Sequence, residues 1–193
     1  MTNSSAIKGT LAFCLQPMKI AAAVTGLLML VLLAPAAPRQ SNDGRLPDLG
    51  ACQNLHVQEG NKVLFHVYAE GVQIYRWNGT SWIFVAPEAV LFANAGGDGV
   101  VGIHYAGPTW ETLSGSKVVG AVLDRCTPAA DAIPWLLLGA LVNEGPGILD
   151  RVTFIQRINT VGGNAPPDPG SSLGDVARVP YVAEYVFYRH KGG

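Results

Sequence analysis

The stretch "VGIHYAGPTWE", Val101 to Glu111, holds the residues best suited to chemistry. His104 titrates near neutral pH and Glu111 is a carboxylate, so a turn at Gly107-Pro108 that brings its two flanks together would make an acid–base pair of the kind a hydrolase uses. The same residues also fit a plainer arrangement, with His104 a core histidine bonded to a backbone carbonyl and Glu111 in water. Tyr105 and Trp110 in this stretch, with Tyr75, Trp82, Gln156 and Arg157 elsewhere, suit a different task. Aromatic surface with a few polar handles is what holds a small molecule or a glycan. There is no H-E-x-x-H, G-x-S-x-G, C-x-x-C, phosphate-binding Gly-rich loop or calcium loop. His56, His66, His104 and His190 are not spaced as a metal pair on one element, so neither a metal nor a cofactor is expected. Glu88, set among apolar residues in "VAPEAVLF", requires a partner such as Arg157 or Arg76 if it is buried.

The elements that must position these residues read as strands. Short apolar runs separated by Gly, Pro and Asn follow one another from Lys62 onward: "KVLFHVYA", "GVQIYRW", "TSWIFV", "AVLFA", "GVVGIHYA", "TWETL", "SKVVGAVL", "AIPWLLLGAL", "RVTFIQRINT" and "VPYVAEYVFYR". Their spacing and their β-branched and aromatic content predict an all-β, antiparallel sandwich or barrel, a single domain over residues 62–189. Only "AIPWLLLGAL" fits a helix as well as a strand. Asn78-Gly79 predicts a two-residue type I′ turn, with Trp77 opposite Thr80 and Tyr75 opposite Trp82. That hairpin puts Gln73, Tyr75, Trp77, Thr80, Trp82 and Phe84 on one face. A second hairpin is expected around "NEGPG", and the long loop "VGGNAPPDPGSSLGD" is of a length that often carries function.

Ahead of the domain, Met18-Lys19 precedes the apolar run "IAAAVTGLLMLVLL" and a small-residue site at Ala34, Pro35 and Ala36. This predicts a cleaved signal peptide over residues 1–36, with the true start at Met18, and a secreted or periplasmic protein with no stable membrane insertion. Residues 37–61 read as a flexible arm and lead-in. Cleavage leaves 157 of the 193 residues and removes Lys8 and Lys19. Eleven basic residues then face 14 acidic ones, a net charge of −3 that offers no footprint for nucleic acid. Cys14 leaves with the leader, and Cys52 and Cys126 remain as an even pair. They either bridge in an oxidising compartment or stay two buried thiols, since spacing alone does not bring them together.

In their fixed order, "GVQIYRW", "WIFVAPEAVLF", "VGIHYAGPTWE", "AIPWLLLGAL", "VTFIQRINTVGGNAP" and "VPYVAEYVFY" resemble the bacterial and fungal family known as domain of unknown function 3455. The resemblance covers residues 62–189 and implies a secreted or periplasmic β domain without an assigned activity. Family members often carry Cys where Trp77 and Ser171 stand, so no family disulfide transfers to those positions, and a Cys52–Cys126 bridge has no support from the family pattern. Three functions fit these observations: a small-molecule or glycan binding module, a hydrolase-like enzyme using His104 and Glu111, and a structural component of a cell envelope or coat. The sequence does not fix the oligomeric state.

Overall fold

The computed structural model describes residues 46–192. The expected leader, the start at Met18 and the first part of the arm lie outside the described residues. Eight strands follow in chain order: β1 (Asn61–Trp77), β2 (Trp82–Phe92), β3 (Val100–Tyr105), β4 (Thr109–Thr112), β5 (Lys117–Cys126), β6 (Trp135–Glu144), β7 (Phe154–Gly162) and β8 (Val176–His190). Each pairs antiparallel with the next, and β8 returns to β1, closing an up-and-down barrel. Of the two expected architectures, sandwich or barrel, the chain adopts the barrel. The ambiguous run "AIPWLLLGAL" becomes β6 from Trp135. Among the described residues, Gln53–Leu55 forms a single 3-10 turn, and no helix is long and apolar enough to cross a membrane.

Ten apolar runs become eight strands because two breaks in the pattern, at Gly71 and Pro87, fall inside strands. Gly71 lies inside β1, where a Cβ would stand 2.0 Å from the Glu88 carbonyl oxygen and 2.6 Å from the Ala89 Cβ. Only glycine lets β1 and β2 approach so closely there, and β1 continues through it for 17 residues. Pro87 falls in the stretch of β2 that β3 does not reach, where a strand tolerates a residue without an N–H.

The β1–β2 connection differs from the expected type I′ turn. Trp77 pairs with Trp82 and Tyr75 with Phe84, leaving a four-residue loop. The Asn78 side chain explains it: its Oδ1 accepts from the backbone N–H groups of Thr80 and Ser81 at 2.9 and 2.8 Å. Of the two turn residues, Gly79 alone takes a positive φ. The pairing moves by two residues, and the side-chain period of two keeps Gln73, Tyr75, Trp77, Trp82 and Phe84 on one face.

Two apolar clusters hold the barrel. The inner one gathers Val67, Ala69, Leu91, Trp110, Val118, Leu138, Ile155, Tyr181, Tyr185 and Phe187, and includes a stacked Phe65–Phe187 pair with centroids 4.4 Å apart. The second lies on the outer face of β6, β7 and β8, where Leu137, Ile158, Val186 and Tyr188 pack against Leu49, Cys52 and Leu55. Residues 46–57, expected from composition to be part of a flexible arm, therefore cover barrel surface. Three apolar side chains spaced through a polar stretch suffice for this, because Cys52 is bonded to Cys126 at the end of β5 and Asn54 donates to the Arg125 carbonyl at 3.1 Å. Glu88 is exposed on the outside and pairs with Arg178 of β8, not with Arg157 or Arg76. That salt bridge holds the Glu88 carboxyl below its ordinary pKa.

Candidate functional site

The β3–β4 hairpin decides the fate of the acid–base pair. Residues opposite one another on neighbouring strands share a face. His104 stands opposite Trp110, and Glu111 opposite Ile103. His104 and Trp110 point into the barrel, where their rings stack with centroids 4.4 Å apart. Glu111 lies on the outer face and accepts a hydrogen bond from Tyr105 Oη at 2.7 Å. The turn does fold the two flanks together, but the odd offset between the two residues sends them to opposite sides of the wall.

His104 is 2 % exposed, and its Nδ1 lies 2.8 Å from the Thr109 carbonyl oxygen. A carbonyl only accepts, so Nδ1 carries the proton and Nε2 is left as an acceptor. Burial drives the pKa of the ring down to about 3, with the nearby Arg157 charge adding to the fall and the Thr109 carbonyl opposing it. His104 is therefore neutral at physiological pH.

Around this histidine, one end of the barrel interior opens as a cavity of about 500 Å³. Gln73 and Tyr75 of β1, His104 and Trp110, Arg157 of β7 and Tyr185 of β8 supply its polar and aromatic lining, with Leu136, Leu138 and Val122 among its aliphatic walls. Phe84, Val85 and Arg125, all exposed, stand at its mouth. The Arg157 guanidinium is fixed by donating from Nε and Nη2 to the Pro134 carbonyl at 3.1 and 2.8 Å. Its charge acts on Tyr75, His104 and Tyr185, none of them a carboxylate. Burial raises the pKa of the Tyr75 and Tyr185 phenols, with Arg157 opposing the rise in both. Three buried polar atoms of the lining, Gln73 Nε2, Trp110 Nε1 and Tyr185 Oη, lack a hydrogen bond of good geometry, although Gln73 and Tyr185 lie close enough to interact with the Tyr181 phenol, and Tyr185 with Arg157. Such groups are uncommon in folded proteins, and each costs about 1–3 kcal/mol when left unsatisfied.

Of the expected site residues, the fold brings Tyr75, His104, Trp110 and Arg157 together and leaves four elsewhere. Trp82 turns its indole N–H onto the Asp168 carbonyl at 2.8 Å and packs edge-on against Trp77, so the long loop before β8 is clasped by this pair. Tyr75 bonds the start of the same loop, at the Gly163 carbonyl. Tyr105 and Glu111 bond each other outside the barrel. Gln156 lies beneath the N-terminal segment, donating to the Leu55 carbonyl at 2.7 Å and accepting from Tyr188. Gln73 and Tyr185 join the site although their sequence context did not single them out; alternation with Tyr75 in β1 and with Tyr181 and Phe187 in β8 is the signal that carries them. Among the described residues no cluster of three or more His, Cys, Asp or Glu side chains could hold a metal ion.

A closed eight-stranded up-and-down barrel is just wide enough to fill itself with side chains or to leave room for one small molecule, and in this barrel a cavity opens at one end. The chain belongs to the DUF3455 family, described as a protein of unknown function, which matches residues 58–189. No curated protein and no solved structure matches it. The family match begins at residue 58, so Cys52 and the segment it anchors lie ahead of the shared domain.

Proposed function

We propose that this protein binds one small, largely apolar molecule in the mouth of its barrel, and that it does so outside the cytoplasm. The observation that carries the reading is one ligand-sized cavity lined by buried donors without a well-formed hydrogen bond, Trp110 Nε1 foremost, with Gln73 Nε2 and Tyr185 Oη beside it. A ligand with a few acceptor atoms would satisfy them and cover the aromatic and aliphatic wall. A small molecule is favoured over a glycan because Trp77 and Trp82, which would have made a sugar platform, are engaged with each other and with the loop. Catalysis by His104 and Glu111 finds no support in a pair that faces opposite sides of the wall. The Cys52–Cys126 bridge, together with the apolar leader in the sequence, supports an oxidising compartment.

The test is a thermal-shift and tryptophan-fluorescence screen of small apolar compounds against the wild-type protein and Val122→Trp, which plugs the mouth from a half-exposed position. Hits are expected to quench wild-type fluorescence and to lose at least about tenfold in affinity with the plugged variant, whose melting temperature stays unchanged. A hit that binds both proteins equally well would place binding elsewhere.

A further inference from the structure

We infer that the ligand of the barrel mouth is a monoanion, an apolar molecule whose single carboxylate pairs with Arg157. This deepens the binding reading and rests on it. Arg157 is carried on the inner face of β7, opposite Leu136 on one side and Tyr185 on the other, so its side chain enters the cavity through an otherwise apolar wall. Taking a guanidinium out of water is costly unless an anion or several acceptors replace the hydration. The acceptors the protein gives it are neutral, the Pro134 carbonyl and the Tyr185 phenol, and the residues lining the cavity include two arginines, Arg125 and Arg157, and no Asp or Glu.

The ion pairs of the described residues bear this out: they join His66 to Glu184, Lys117 to Glu144 and Arg178 to Glu88, and none involves Arg157. Pro134 holds the guanidinium by one edge, which orients the planar fork without neutralising it. A carboxylate is the group whose two oxygens match that fork. Its oxygens are also acceptors, and the three groups of the lining that lack a well-formed bond can all donate: an amide N–H, an indole N–H and a phenol O–H. A phosphate monoester fits less well, because one half-buried guanidinium would face up to two negative charges in a largely apolar wall. The rest of the lining, with Leu136, Leu138, Val122 and the rings of Trp110 and Tyr185, suits a hydrocarbon or aryl body.

The experiment compares octanoate, octanol and octylamine at neutral pH, by calorimetry and tryptophan quenching, on the wild-type protein and on Arg157→Gln. Octanoate should bind the wild type at least about tenfold more tightly than octanol, with octylamine the weakest, because only the carboxylate gains a charge-assisted pair. Arg157→Gln should bring octanoate down to the level of octanol while leaving octanol within about twofold of its wild-type affinity. If the variant fails to fold, the order of the three probes on the wild-type protein still decides. Equal binding of octanoate and octanol, or an octanoate preference that survives in folded Arg157→Gln, overturns the anion assignment and leaves the mouth as a ligand site. Failure of all three probes to bind overturns the mouth itself as a site for apolar chains, and the anion assignment with it.

Discussion

A histidine held neutral in an apolar interior loses its advantage as the solvent becomes acidic. For His104 the ordinary value of 6.5 applies to the unfolded chain and about 3 to the folded one, so between these values the unfolded state binds more protons. The contribution is fully present above pH 6.5 and is lost as pH falls toward 3, at about 1.4 kcal/mol per pH unit. Urea unfolding at pH 7 and pH 5 should therefore show a drop that His104→Gln reduces by about 2 kcal/mol, and an unchanged drop in the variant would contradict the assignment. Glu184 acts later: burial pushes its carboxyl up, but the hydrogen bonds from His66 and Asn159 outweigh this and hold it below the usual carboxylate range. Its contribution is lost only at more acid pH. At this scale the sequence showed that His104 stands among apolar residues. It could not show on which face Glu111 would fall, because that depends on whether the Gly107-Pro108 turn pairs His104 with Trp110 or with its neighbour.

Elements were easier to recognise than to join. Alternation and turn residues identified almost every strand, and the two missed continuities, at Gly71 and Pro87, occur where a residue that usually ends a strand is tolerated by local geometry. The register of the first hairpin was hidden in the Asn78 side chain, which closes a longer loop than Asn-Gly usually makes. Composition alone does not reveal where three apolar side chains of the N-terminal segment, Leu49, Cys52 and Leu55, find a surface. That segment is also where a covalent constraint matters most. Cys52–Cys126 joins residues 74 apart, for which the chain-entropy model gives about 4 kcal/mol. The double variant Cys52→Ser, Cys126→Ser should unfold at lower urea by roughly this amount while keeping the near-ultraviolet dichroism of the packed barrel interior, since the bridge lies on the outer face. Equal stability of the two proteins would mean that the packing of Leu49 and Leu55 holds the segment unaided.

Closure of the ring is a property of the whole molecule, and it places the greatest demand on the two ends of the domain. β1 and β8 pair from Asn61–His190 to Arg76–Val176, at least 100 residues apart in sequence at each point, so the loop entropy of closing the barrel must be overcome before this pairing returns anything. In exchange β8 serves both clusters, sending Tyr181, Ala183, Tyr185 and Phe187 inward and Val186 and Tyr188 outward. It also removes the only two edges the sheet would otherwise expose, β1 and β7. The same closure sets Tyr185 beside Arg157 and brings Gln73 and Tyr75 into the same cavity as Trp110, which explains why the cavity was less legible than the strands: its lining comes from all eight strands, whose shared face exists only once the ring is shut. Ending the chain at Asp175 should therefore do more than remove one strand. We expect the truncated protein to lose its cooperative urea transition and to elute as oligomers in size-exclusion chromatography, because both clusters are opened and two long edges are left to pair with other chains. A monomeric truncation that still unfolds in one sharp transition would show that the seven remaining strands form a stable sheet without closure, and that the cavity is a feature of an open surface.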